Sequence, residues 1–335
     1  MTILAFGGEI GFFLPSDSNG YETSENVGGS QFNTAFARCN TRTSSGSSYL
    51  ETPNVGTQAN IWFHVDILQF SPLSSDSTLL RAIEFFDSGG IAQLRLTCSW
   101  LSNGADGVWQ LEHYNGSTWV SLGNCNAPAS QRQTLDIHIV SNTSSGSVDL
   151  YMSGTHRITA SVNLSTLTGI QKARCWGSTR SVAAECRYSQ IILATETTIG
   201  MRVGTVYMSG QGVTHTFDTG GYANIDETTY SDADFVQSGT AGQIELFTGT
   251  SIPSFTGYSI RALALTARAK SDGSAPAHFR FQLRSGGVTY DNGSDLSLDF
   301  GYGNYCAVWE TNPATSAAFQ PSEISALQYG VKSVT

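Results

Sequence analysis

Charge is what this sequence has least of. Only 13% of its 335 residues are Asp, Glu, Lys or Arg, too few for the ion-paired surfaces of long helices, which argues against a helical bundle. Positive charge is scarcer still. Seventeen Lys plus Arg stand against 27 Asp plus Glu, a formal net charge of −10, so the footprint that holds a nucleic acid is missing and no nucleic-acid partner is expected. No run approaches the roughly 18 apolar residues of a membrane-spanning helix, and no membrane insertion is expected. The opening MTILAFGGEIGFFLPSDSNGYETS carries Glu9, lacks a basic start and runs through paired glycines. It reads as a first strand or strand pair, not an export signal.

Chemical motifs are also missing. The six cysteines, Cys39, Cys98, Cys125, Cys175, Cys186 and Cys306, form no CxxC pair and none has a histidine at metal-ligand spacing, which argues against zinc. Without an export signal, thiols in a reducing compartment are expected; Cys175 and Cys186 are the one pair whose spacing suits opposite positions on a hairpin. There is no G-x-S-x-G elbow, phosphate-binding loop or dinucleotide fingerprint, so no cofactor is expected. Histidines such as His64, His138 and His215 read as core-satisfied or solvent-facing. Glycan hydrolysis needs two carboxylates flanking one bond. The nearest pattern is Glu84-Phe85-Phe86-Asp87, whose odd spacing sends the acids to opposite faces of a strand. The pair reads as an edge residue and a turn-initiating Asp, and a protein without enzymatic activity is expected.

What is present is alternation. Ile61, Phe63, Val65 and Ile67 share one face of a strand and Trp62, His64 and Asp66 the other, the pattern of a half-buried strand. Leu94 and Leu96 alternate about Arg95, Leu111 precedes Glu112, and Leu135, Ile137 and Ile139 alternate with Asp136 and His138. Turn signals at 87–90, 102–104, 115–117 and 144–146 separate them. Strands this short need two sheets burying their apolar faces together. The same patterning returns in the second half, where Phe279, Phe281 and Leu283 alternate with Arg280, Gln282 and Arg284 before a Ser285-Gly286-Gly287 turn. Further strands are predicted at 243–248, 259–270, 296–300 and 305–310, although 261–269 is rich enough in Ala, Leu and Arg to be a helix. A short helix is predicted at 321–328, with Pro321 at its start. The expected fold is all-β, with two antiparallel β-sandwich (jelly-roll) domains, 1–198 and 199–335, and one short C-terminal helix.

Three segments, YSQIILATETTIGMRVGTVY, DETTYSDADFVQSGTAGQIELF and VWETNPATSAAFQPSEISALQYGVKSV, resemble recurrent stretches of tailed-bacteriophage structural proteins. The upstream half, with its LEHYNGSTWVSLG hairpin, resembles more loosely a concanavalin A-like or laminin G-like jelly roll. The resemblance implies a virion protein, assembled in the host cytoplasm, of tail fibre, tail tip or capsid decoration. Its implied partners are other capsid or tail proteins, with further copies of itself in a homo-oligomer such as a trimer. It carries no catalytic motif over.

A binding site has two candidates in the residues. Trp100, Trp109, Tyr114 and Trp119 cluster in sequence with His113 and Asn115 beside them. They read either as sandwich core with cross-strand pairs or as a face on which sugar rings of a host-surface glycan stack. The latter would make the chain a lectin-like module. Asp226, Glu227, Asp232 and Asp234 could offer oxygen ligands to calcium, or form a solvated loop.

Overall fold

The computed structural model describes residues 2–7, 14–15, 21–26, 35–39, 49–70, 80–99, 107–128, 131–142, 145–162, 169–176, 185–226, 231–252, 257–274 and 276–335. The chain divides into two compact units, the first ending at Val203 and the second spanning Gly204–Thr335.

The described part of the first unit holds β1 (Ile3–Gly7), β2 (Leu14–Pro15), β3 (Tyr21–Asn26), β4 (Ala35–Cys39), β5 (Tyr49–Glu51), β6 (Asn60–Phe70), β7 (Leu80–Phe86), β8 (Ala92–Ser99), β9 (Gly107–Tyr114), β10 (Trp119–Ala127), β11 (Arg132–Val140), β12 (Gly146–Met152), β13 (Thr155–Val162), β14 (Lys172–Trp176) and β15 (Glu185–Ala194). They build two antiparallel sheets. One is eight-stranded, in the order β13-β12-β11-β6-β15-β4-β3 with β1 also on β15; the other is seven-stranded, β10-β9-β8-β7-β14-β5-β2. Alternation drives the pairing: Ile61, Phe63, Val65, Ile67, Leu135, Ile137 and Ile139 of one sheet and Ile83, Phe85, Leu94, Leu96 and Leu111 of the other are all buried. Phe63 meets Phe85 across the sandwich edge-to-face, with ring centroids 5.2 Å apart. The Tyr188 hydroxyl of β15 donates to the Ala82 and Trp176 carbonyls of the other sheet. At one margin the sheets close on each other, since a Cβ on Gly123 of β10 would stand 2.9 Å from Ile158 Cγ2 of β13; only glycine allows that approach.

Two expectations are corrected here. β6 is not half-buried: His64 and Asp66, on its second face, are as inaccessible as the core, because polar partners and the chain after β15 lie on them. Cys175 and Cys186 do not oppose each other on a hairpin. β14 pairs with β5 and β7, whereas β15 pairs with β4 and β6 in the other sheet, where Cys186 stands opposite Cys39.

The second unit contains β16 (Met208–His215), β17 (Ile244–Gly249), β18 (Leu263–Ala269), β19 (His278–Ser285), β20 (Val288–Asp291), β21 (Leu296–Ser297), β22 (Gly303–Trp309) and β23 (Gln328–Val334). Its larger sheet runs β16-β17-β23-β19-β20 with β21 on β19, and β18 pairs with β22. The core joins Phe279, Phe281 and Leu283 of β19 to Leu265, Trp309, Phe319, Ile324, Leu327 and Tyr329. The β19–β20 hairpin turns through Gly286 and Gly287, both at positive φ (58° and 84°), the backbone a two-residue turn demands. The alanine-rich stretch is strand, with Leu263 opposite Trp309. The helix is one turn, α1 (Pro321–Ile324), and stops short of the predicted Gln328. Gln328 opens β23 and pairs on both sides, with Thr248 and Arg284; a central strand outweighs helical spacing.

Candidate functional site

On the seven-stranded sheet, turning Leu94, Leu96 and Leu111 inward turns Arg95, Thr97, Gln110 and Glu112 outward. The register then lines up five charged residues on adjacent strands: Glu51 (β5) opposite Arg174 (β14), Arg174 opposite Glu84 (β7), Glu84 opposite Arg95 (β8), and Arg95 opposite Glu112 (β9). Signs alternate along the row. Arg174 Nε stands 2.5 Å and Lys172 Nζ 2.9 Å from the Glu51 carboxylate, Arg95 Nε 2.7 Å from Glu112 Oε2, and Arg81 3.7 Å from Glu84. Thr97 and Gln110, in the next row, donate to Glu112 at 3.4 and 3.3 Å. Glu84 and Glu112 are only 4% and 5% exposed, so the hydrogen bonds to Glu112 from Arg95, Thr97 and Gln110 are made away from bulk water, where they are stronger. Four strand spacings make the row roughly 19 Å long.

Aromatic rings close both ends. Trp119 packs tilted on Tyr114 at 5.5 Å and lies 4.2 Å beneath the Arg95 guanidinium. At the far end Tyr49 meets Trp176 edge-to-face at 4.9 Å, under Arg174 and Arg81 respectively. Planar rings beside fixed carboxylates and guanidinium groups offer C–H stacking together with hydroxyl donors and acceptors.

The sequence-predicted site is brought together only in part. Tyr114 and Trp119 stand opposite each other on this face. Trp109 does not join them: it points inward with Leu111, is wholly buried, and its Nε1 donates to Gln133 Oε1 at 2.7 Å. His113 is one residue out of phase with Tyr114 and so lies on the opposite side of the sheet, opposite Leu94 and Val120. Asn115 shapes the hairpin, accepting the Ser117 and Thr118 N–H groups. Trp100 lies outside the described residues. Glu84 is no edge residue, since β7 is an interior strand. Asp87 does initiate the turn, accepting the N–H groups of Gly89 and Ile91. Three carboxylates, Glu51, Glu84 and Glu112, do share one face, a grouping made across strands that spacing along a single strand does not address.

The acidic stretch assembles no cage. Asp232 makes a two-point ion pair with Arg268 at 2.7 and 2.8 Å, which holds its carboxyl below the usual range. Asp234 accepts from the Asn224 amide. Glu227 is outside the described residues, and Asp226 is not gathered with the others: among the described residues no three His, Cys, Asp or Glu side chains are placed to hold a metal.

On the outward face of the eight-stranded sheet, His138 stacks on Trp62 at 4.3 Å, with Asp149 3.7 Å from its Nδ1. Burial pushes the His138 imidazole below its ordinary 6.5, against the opposing pull of Asp149, and burial does the same to His113. Both rings therefore bind a proton less readily folded than unfolded. Their contribution to stability is complete above pH 6.5 and is lost as pH falls through the folded-state values. The urea midpoint is expected to drop between pH 7.5 and 5.5, and less so in a His113→Gln/His138→Gln variant; equal slopes in the two proteins would refute this assignment.

No family model matches the chain, and no curated protein matches it. Among solved structures it is similar to the cellulose induced protein Cip1, at TM-score 0.41 and 13% identity over 58% of this chain and 93% of that one. It is similar also to an alginate lyase from Klebsiella pneumoniae, at 0.38 and 8% over 53% and 84%. A third is the CBM2 module of the evolved Dit of Lactobacillus casei BL23 phage J-1, at 0.36 and 13% over 52% and 83%. Likeness at this level carries no argument about ligand or activity, and it spans enzyme and binding module alike.

Proposed function

We propose that the first unit is a carbohydrate-binding module whose ligand lies on the outward face of the seven-stranded sheet. The carrying observation is the alternating row Glu51–Arg174–Glu84–Arg95–Glu112, closed by Tyr114 and Trp119 at one end and by Tyr49 and Trp176 at the other. A row of alternating charge suits a ligand rich in hydroxyls, which accept from the guanidinium groups and donate to the half-buried Glu51 while the rings take its C–H faces. The reading is of binding without cleavage, because the row's carboxylates are engaged with cationic side chains. Release of reducing ends from a bound polysaccharide would contradict it.

The test is glycan binding by array and calorimetry. Arg95→Ala removes a charge-assisted donor worth about 1.5–3 kcal/mol, so affinity should fall roughly 10- to 100-fold, and Trp119→Ala should weaken binding as well. Binding unchanged in both folded variants would remove the site.

A second reading, compatible with the first, is residence in a phage particle as a tail-fibre, tail-tip or capsid-decoration component, assembled as a homo-oligomer. Its support is the resemblance of the segments at 188–207, 226–247 and 308–334 to phage structural proteins. Quantitative mass spectrometry of purified virions, normalised to the major capsid protein, tests it. Hundreds of copies would indicate head decoration and a few to tens a fibre or tail tip; absence would reject the reading.

A further inference from the structure

Beyond that face, unusual features of the first unit converge on the other sheet. Asp136 of β11 stands opposite His64 of β6 on the face turned away from the sandwich core. Both are fully buried, with His64 Nδ1 2.7 Å from Asp136 Oδ1. The chain that leaves β15 lies on them. Thr198, itself buried, donates its hydroxyl to the same Asp136 Oδ1 at 2.6 Å. Five residues on, the Val203 N–H reaches Gln190 Oε1 at 3.3 Å, and the Met201 N–H bonds back to the Thr198 carbonyl at 2.9 Å.

This closed arrangement is costly in two ways. Asp136 Oδ1 takes two contacts while Asp136 Oδ2 and His64 Nε2 are buried without a hydrogen-bond partner, each forgoing the water it would bind if open. Gln190, the acceptor for Val203, is held at φ +51° within an irregularity of β15 between Ser189 and Ile192. A buried non-glycine residue in that region is strained. Orphaned atoms, a left-handed backbone and an overlying segment at one place are the marks of an element held closed against local preferences.

We propose that residues 195–203 form a releasable strap that opens while both sheets of the first unit stay folded. Opening admits water to His64 Nε2 and Asp136 Oδ2 and to the Gln190 side-chain oxygen that holds the Val203 N–H.

Amide hydrogen exchange on the full chain tests the strap. The Met201 and Val203 amides are expected to exchange through a local opening, at least about tenfold faster than those of Phe63 and Ile137 in the central strands. Thr198→Val should accelerate the two strap amides by a further factor of about ten, a loss of one hydrogen bond to a carboxylate, and leave Phe63 and Ile137 unchanged. Thr198→Ser, which keeps the hydroxyl, should exchange as the parent does. If in the parent the strap amides exchange at the rate of the central strands, or if Thr198→Val shifts all four together, the segment is an integral part of the sheet and the inference is wrong.

Discussion

Trp109→Ala is expected to lower the unfolding free energy of the first unit by about 3–5 kcal/mol, near the top of that range. The indole is wholly buried between the sheets, so truncation leaves a cavity that surrounding strands cannot fill. A second loss adds to it. Gln133, only 3% exposed, receives the indole N–H on its Oε1 and donates its own amide to the Pro128 carbonyl, so without the indole its oxygen is buried and orphaned. Trp109→Phe separates the two contributions. It keeps most of the volume but still orphans Gln133, and should cost about 1–3 kcal/mol. Trp119→Ala provides the contrast. Its ring is partly exposed at the end of the charged row, so it should cost little stability while weakening glycan binding. Urea denaturation of the three variants decides the matter; a Trp109→Ala loss below about 1 kcal/mol would mean that the indole is not in the core.

Much of the architecture was legible because period-two alternation survives wherever one face of a strand is apolar. Leu94 and Leu96 about Arg95, and Phe279 and Phe281 about Arg280, fall as the pattern requires, whereas Gln282 is as buried as Leu283 beside it. It failed where a polar residue was read as a surface residue. His64, Asp66 and Asp136 look like solvent positions, yet partners from other strands and from the chain after β15 seal them: Arg132 and Thr134 engage Asp66, and Thr198 engages Asp136. Those partners lie 62 to 68 residues away along the chain, beyond any local window. The site shows the same limit. Clustering in sequence selected Trp109 and His113 with Tyr114 and Trp119, but adjacent residues on a strand alternate sides, so half of any such cluster must face away. The row that closes the site comes from β5, β7, β8, β9 and β14, and only register puts Glu51 within reach of Arg174, 123 residues on. Arg95 and Glu112 were visible as outward-facing charges, the one local hint of it.

In the second unit a polar effect is expected at a histidine. His215→Ala should cost about 1–3 kcal/mol, the cost of taking a hydrogen-bond partner from a buried polar group. Glu245 of β17 is fully buried, and His215 Nδ1 approaches its Oε1 to 2.6 Å from the neighbouring β16. Among the described residues no Lys or Arg forms an ion pair with it. Its other contacts are neutral: the Gln211 amide at 2.6 Å and the Phe217 N–H at 3.4 Å. These and the half-exposed position of the imidazole, which lets water follow when the ring is removed, keep the loss from being larger. If the uncompensated carboxylate is the cause, Glu245→Gln in the His215→Ala background should recover much of the loss, because a carboxamide is far less costly to bury than a carboxylate. The double variant would then be more stable than His215→Ala alone, a sign that lost packing of the imidazole cannot produce. A denaturation cycle of the parent, both single variants and the double variant measures it. No rescue by glutamine would show that His215 supports the second unit through its contacts with the sheet and not through the charge of Glu245.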